Sequence, residues 1–185
     1  MAANCADYPD QLAVMRNADQ ASRSDPYERI ESISMRLRIA YGTVGVANVV
    51  RMKELLQRCG WPITSKFGKQ ASLDAWLLVQ HADHDRQFQR EAIVLLEQAV
   101  KQGEASGKDL AYLSDRIAVA EGKPQLYGTQ FKGVENCEFV FQPMDSREAV
   151  AARRQAVPGM ITLEEYKKMM EQRALPPHCK ADPAK

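Results

Sequence analysis

From about Asp10 to Leu126 the apolar residues recur three and four positions apart, and glycines and prolines cut that pattern into helix-length pieces. This periodicity constrains the chain more than any other feature, because each such piece must bury one face against another helix. Val49, Met52, Leu56 and Cys59 form one stripe ahead of Gly60. Trp61-Pro62 then stops the helix, since the residue before a proline resists the helical region. Phe88, Ala92, Leu95 and Ala99 mark a second stripe that Gly103 ends. Leu110, Leu113, Ile117 and Ala120 mark a third, which stops at Gly122 and Pro124. Between the first two, LDAWLLVQHA is dense in apolar residues and reads as a central helix, with ITSKFGKQ before it as a polar loop. Upstream, Asp25-Pro26 supplies a cap and a first-turn proline for YERIESISMRLRIAY, with Gly42 closing that helix and Thr43 capping the next.

The pattern changes at Gln125. The run QLYGTQFKGVENCEFVFQPM carries aromatics and valines around a turn-like Lys132-Gly133…Glu135-Asn136, and Glu138–Gln142 reads as a short strand of a hairpin. After Pro143, Asp145 can cap a helix to about Ala156. Thr162 with Glu165 three residues on makes a capping box for a last helix to about Arg173. The expected fold is mainly α: a single-domain bundle of about seven or eight helices with a small β-hairpin near residues 126–142. Residues 1–175 would form the domain, and the Pro-rich 176–185 a disordered tail.

Composition narrows the function. At 185 residues the chain should bury about 70% of its unfolded surface, enough for a core without staples. A formal charge of +1 argues against nucleic acid or an anionic lipid surface as partner. No apolar run approaches the length needed to span a bilayer. The first ten residues lack the charged start and apolar stretch of a signal peptide, so the chain is either cytosolic or the remainder after signal removal. Cys5, Cys59, Cys137 and Cys179 include no CxxC pair; they are either independent thiols or two bridges in one of three pairings. There is no GxSxG, HExxH, EF-hand or GxGxxG sequence. Gly103…Lys108 is one residue short of a P-loop and is followed by Asp109, where Ser or Thr would hold magnesium.

Three stretches could carry chemistry. In Gln80-His81-Ala82-Asp83-His84-Asp85, His81 would share a helical face with His84 and Asp85 if the helix continues, either as a metal pair or as a histidine with an orienting carboxylate. The alternative is that Asp83 or Asp85 caps the next helix. Gln80 points towards the face that should be buried, where its amide must find partners, in neighbouring backbone or in a pocket. In Tyr112-Leu113-Ser114-Asp115-Arg116, Tyr112, Asp115 and Arg116 lie on a face beside the core stripe, and Arg116 could grip a carboxylate or phosphate, or form an interhelical ion pair. In Gln125-Leu126-Tyr127-Gly128-Thr129-Gln130 a glycine frees the backbone to turn among polar side chains, to bind a ligand or to tie the hairpin to the helices.

Together GWPITSKFG, AWLLVQHADHDRQFQ, AYLSDRIAVAEGKPQLYGTQF and RRQAVPGMITLEEYKK resemble a bacterial family of uncharacterised domains over roughly residues 44–170. By position the family's motif residues are Trp61, Gln80, His81, Asp83, Gln89, Asp115, Arg116, Gln125, Tyr127, Gly128, Thr129 and Gln130. Asp19-Gln20 and Asn48 are similar to further polar family positions. The resemblance implies one polar site and, since such chains are often exported, favours export over the cytoplasm. It transfers no reaction.

The reading that follows is a polar cleft on which His81, Asp115, Arg116, Gln125, Tyr127 and Gln130 converge, binding a small polar or anionic ligand or a peptide. Gln80, Asp83, Gln89, Tyr112 and Thr129 would complete the ligand contacts. A first alternative is an enzyme of hydrolase or lyase type with His81 as general acid/base, Asp115 or Asp83 orienting it, and Arg116 or Tyr127 stabilising charge. A second is an interaction protein, inhibitor- or immunity-like, in which the polar cluster is structural and the partner a protein. No cofactor is expected, and no metal unless His81, His84 and Asp85 act together.

Overall fold

Tyr8, Leu12, Met15 and Asp19 fall on one face of a helix, and all four are buried in the first helix of the fold, α1 (Tyr8–Arg23). A computed structural model describes residues 5–23, 31–176 and 179, with side chains described for all of these except 31–41. The chain gathers into two compact units, Met1–Asp109 and Leu110–Lys185.

In the first unit α1 packs on α2 (Glu31–Cys59) and α3 (Thr64–Gln80), and α3 and α2 both meet α4 (Arg86–Lys101). Val49, Met52 and Leu56 are buried as their spacing predicts, together with Leu55. The Tyr8 hydroxyl donates to the Gly60 carbonyl at 3.1 Å, and Trp61 Nε1 donates to Ser72 Oγ at 3.0 Å. Cys5 and Cys59 form a disulfide that ties the start of α1 to the end of α2. Two expectations are corrected here. Gly42 and Thr43 do not separate two helices, because α2 runs unbroken through both. One interior glycine costs a helix only about 1 kcal/mol, which the packing of a long helix outweighs. The stretch read as the loop ITSKFGKQ is largely the first turns of α3; Gly68, at φ 83°, turns it through a kink instead. The Asp25-Pro26 cap lies outside the described residues.

The second unit begins within α5 (Gly107–Ala120). After Gly122, at φ 71°, a loop leads into β1 (Phe131–Glu135) and β2 (Glu138–Phe141), an antiparallel hairpin. Asn136 and Cys137 both adopt positive φ, as a two-residue hairpin turn of matching twist requires. The turn therefore sits one or two residues later than the sequence suggested. Phe131 stacks on Phe141 and on Tyr166 of the last helix. That helix, α7 (Leu163–Ala174), opens on the expected Thr162–Glu165 capping box. The helix before it, α6 (Arg147–Ala156), is capped by Ser146 rather than Asp145, whose carboxylate instead pairs with Arg153 at 2.7 Å. Cys137 and Cys179 form the second disulfide. Each bridge closes a long loop, and in the chain-entropy description each stabilises its unit by up to about 4 kcal/mol. Among the described residues the fold is thus mainly α, seven helices with one small hairpin, as the sequence indicated. Most of the Pro-rich tail lies outside the described residues.

Candidate functional site

The stripe that α1 buries ends in a carboxylate. Asp19 is only 2% exposed, and its Oδ2 lies 2.7 Å from Nδ1 of His81. His81 is the residue that closes α3, its N–H returning to the Leu77 carbonyl at 3.1 Å. The chain then turns at once into α4, with Asp85 capping the new helix by accepting from the Phe88 N–H at 3.0 Å. Gln89, buried on α4, braces this turn: its amide donates to the carbonyls of Val79 and Gln80, each at 3.2 Å. The imidazole is therefore carried on a short, internally bonded corner between two helices.

Asp19 has further donors. Arg23 Nε lies 3.0 Å from Oδ1, and the Gln20 amide donates to Oδ2 at 2.9 Å. Burial pushes the Asp19 carboxyl up, but the bonds from His81, Arg23 and Gln20, with the imidazole's charge, outweigh it and hold the group below the usual carboxylate range. An ionised carboxylate only accepts, so Nδ1 of His81 must carry the proton. The other nitrogen, Nε2, has no hydrogen-bond partner among the described residues, and the His81 side chain keeps 16% of its surface exposed. A neutral ring so held offers a lone pair at Nε2, and a charged ring offers a proton there.

The second unit gathers the other polar residues differently. Asp115 of α5 is fully buried, and its two oxygens accept from the N–H groups of Leu126 (2.7 Å), Tyr127 (3.0 Å) and Thr129 (2.9 Å), and from Thr129 Oγ1 (3.0 Å). Burial pushes its carboxyl up, against the downward pull of these donors. Gln125, also fully buried, donates to the carbonyls of Gln130 and Gln142 and accepts from the Gln130 N–H at 2.8 Å. Gly128, at φ 64°, lets the loop pass against α7, where a Cβ would sit 2.5 Å from Leu163 Cδ2. Arg154, on α6, donates through Nη1 to the Tyr127 carbonyl at 2.6 Å.

A family model described as a family of unknown function, DUF6624, matches residues 6–175. The chain belongs to that family. Comparison with curated proteins and with solved structures gave no match.

In this DUF6624 chain the residues expected to converge fall into two sets. His81, Gln80, Asp83 and Gln89 belong to the first unit, and Tyr112, Asp115, Arg116, Gln125, Tyr127, Thr129 and Gln130 to the second. The buried amide of the first set is Gln89, whereas Gln80 is half-buried and contributes its carbonyl. The carboxylate that meets His81 is Asp19, not Asp83 or Asp115; Asp83 is exposed, with Oδ1 3.4 Å from the Gln89 amide. Asp19 was legible as a polar family position, and its place at the end of the Tyr8–Leu12–Met15 stripe was the stronger signal. Asp85 is committed to its cap and to Lys53, 2.7 Å away, while His84 is exposed. The helix ends before His84, so the helical face assumed for a metal pair is not formed, and no cluster of three His, Cys, Asp or Glu suited to a metal occurs among the described residues. Tyr112 packs edge-on to Tyr166 at 5.8 Å, and Arg116 is half-buried on α5. The Gln130 amide donates to Thr129 Oγ1 at 3.0 Å.

Proposed function

We propose that the chain is an acid–base enzyme of hydrolase or lyase type in which His81 transfers the proton and Asp19 orients it. The carrying observation is the 2.7 Å pair between a buried Asp19 and a histidine whose second nitrogen has no protein partner among the described residues. Asp19 fixes the tautomer and stabilises the imidazolium that forms when Nε2 takes a proton. The substrate class is a small polar molecule or peptide that yields a proton to Nε2 directly or through water. The two disulfides support a location outside the cytoplasm, where thiols are oxidised; no helix among the described residues is long and apolar enough to cross a membrane.

A test that needs no substrate is the rate at which diethyl pyrocarbonate acylates each imidazole, read by mass spectrometry of peptides. His81 should react at least as fast as the more exposed His84, and Asp19→Asn should slow it several-fold while leaving His84 unchanged. A His81 that resists acylation, or that reacts identically in Asp19→Asn, overturns the assignment.

A further inference from the structure

The second unit holds a cleft of about 670 Å³ between α6 and the start of α7, within the size range of small-molecule sites. Its wall includes Ala151, Met160, Ile161 and Leu163, and Arg154 reaches it from within. Arg154 is 3% exposed and forms no ion pair among the described residues, although the charges of Asp115 and Glu164 act on it from farther off. Its bonds go to main-chain carbonyls: Nε to Ile161 (2.7 Å), Nη1 to Tyr127 (2.6 Å) and Nη2 to Thr162 (3.4 Å), with the Tyr166 ring below it. A guanidinium carries five N–H donors, so these three bonds leave one on each terminal nitrogen. A buried cation whose hydrogen bonds all go to neutral carbonyls is costly even with Asp115 and Glu164 in the neighbourhood, and an anion bonded to its two remaining donors would remove part of that cost.

From this pairing of an apolar wall with a buried guanidinium that has two donors to spare and no directly bonded carboxylate, we infer that the cleft is a binding site for a small aliphatic monocarboxylate. The carboxylate meets Arg154, and the hydrocarbon lies against Ala151, Met160 and Ile161. The rim sets the charge. Glu164 is paired with Arg147 at 3.1 Å, Glu165 is held by the Thr162 cap, and Glu148 stands beside them, so acidic side chains outnumber basic ones on the lining. Such a rim repels a second negative charge, so a dicarboxylate or a phosphate ester is disfavoured. None of the residues of this cleft belongs to the unit that carries His81.

Titration of the intact protein with octanoate, octanol and succinate, followed by amide chemical shifts, tests this. Octanoate should move the resonances of Ala151, Met160 and Ile161 saturably, and bind at least tenfold more tightly than octanol. Succinate should move none of them. Ala151 is exposed, so Ala151→Phe should fill the cleft without disturbing the core and abolish octanoate binding with an unchanged melting temperature. Arg154→Lys keeps the charge and loses the fork, and should weaken octanoate while leaving octanol unchanged. Octanol binding as tightly as octanoate, saturable succinate shifts at the same residues, absence of saturable octanoate shifts there, or an Ala151→Phe variant that binds normally would each overturn the proposal.

Discussion

The two polar centres of the molecule use the same residue types to opposite ends. Around Asp115 every donor faces inward: three main-chain N–H groups and a hydroxyl converge on one carboxylate, and Gln125 closes the base of the hairpin in the same way. Around Asp19 the donors are side chains, and one of them, His81, turns its far nitrogen outward. A buried carboxylate satisfied by backbone fixes a loop. One satisfied by a partly exposed imidazole leaves that ring's second nitrogen without a partner among the described residues. The difference lies in what stands behind the donor, and residue type alone does not reveal it.

The comparison is broken most easily at Asp115. Asp115→Ala would strand several buried donors at about 1–3 kcal/mol each, so unfolding free energy should fall by about 4 kcal/mol in a denaturant titration. His81→Ala should lower it by only about 1 kcal/mol, because Arg23 and Gln20 remain on Asp19. Equal losses would erase the distinction between scaffold and working group.

Gly128→Ala comes next. A side chain there meets Leu163 and must adopt a left-handed backbone, which together cost about 3 kcal/mol. The melting temperature should fall accordingly, and it should fall less when Leu163 is also truncated to Ala than the two single losses sum to. Strict additivity would mean that the loop does not press on α7 at Gly128.

The smallest effect is one of sign. The carboxyl of Asp19 is held below its ordinary range, so its stabilisation is complete above its unfolded pKa, near 3.8, and is lost as pH falls through the lower folded value. Asp115 is pushed up, so its folded form favours the proton and its contribution declines as pH rises from its unfolded pKa through the raised folded value. Stability measured between about pH 2 and 6 should therefore lose part of its acid limb in Asp19→Asn. The same limb should steepen in Asp115→Asn, provided that variant stays folded at neutral pH. Curves shifted in the same direction would contradict the opposed roles.

Much of this was legible in the sequence, and the exceptions share a cause. The stripes Val49–Met52–Leu56–Cys59 and Phe88–Ala92–Leu95–Ala99 are buried along most of their length, with only Cys59 and Leu95 half-buried, because helical burial follows spacing. The Thr162–Glu165 box was read correctly because its bonds are local. Gly42 misled because a glycine's local cost is small beside the packing of a 29-residue helix. The polar run Gln125–Gln130 was conspicuous, but its partners, Asp115, Gln142 and Tyr166, lie 11 to 37 residues away along the chain. Asp19 and His81 are separated by 62 residues, and only α1 laid against α3 makes them a pair. Arg154 gave a fainter signal still: it follows the buried Val150 by one helical turn, and nothing in the sequence says that its partners will be carbonyls.

The central claim is that Asp19 holds His81 with Nε2 open for proton transfer. Long-range nitrogen–proton spectra of the imidazole rings, recorded at rising pH until the ring signals stop changing, report which nitrogen carries the proton in the neutral ring. The account predicts that His81 is protonated at Nδ1 and bare at Nε2, and that Asp19→Leu, which removes the acceptor, erases this preference. A wild-type His81 protonated at Nε2 would contradict it.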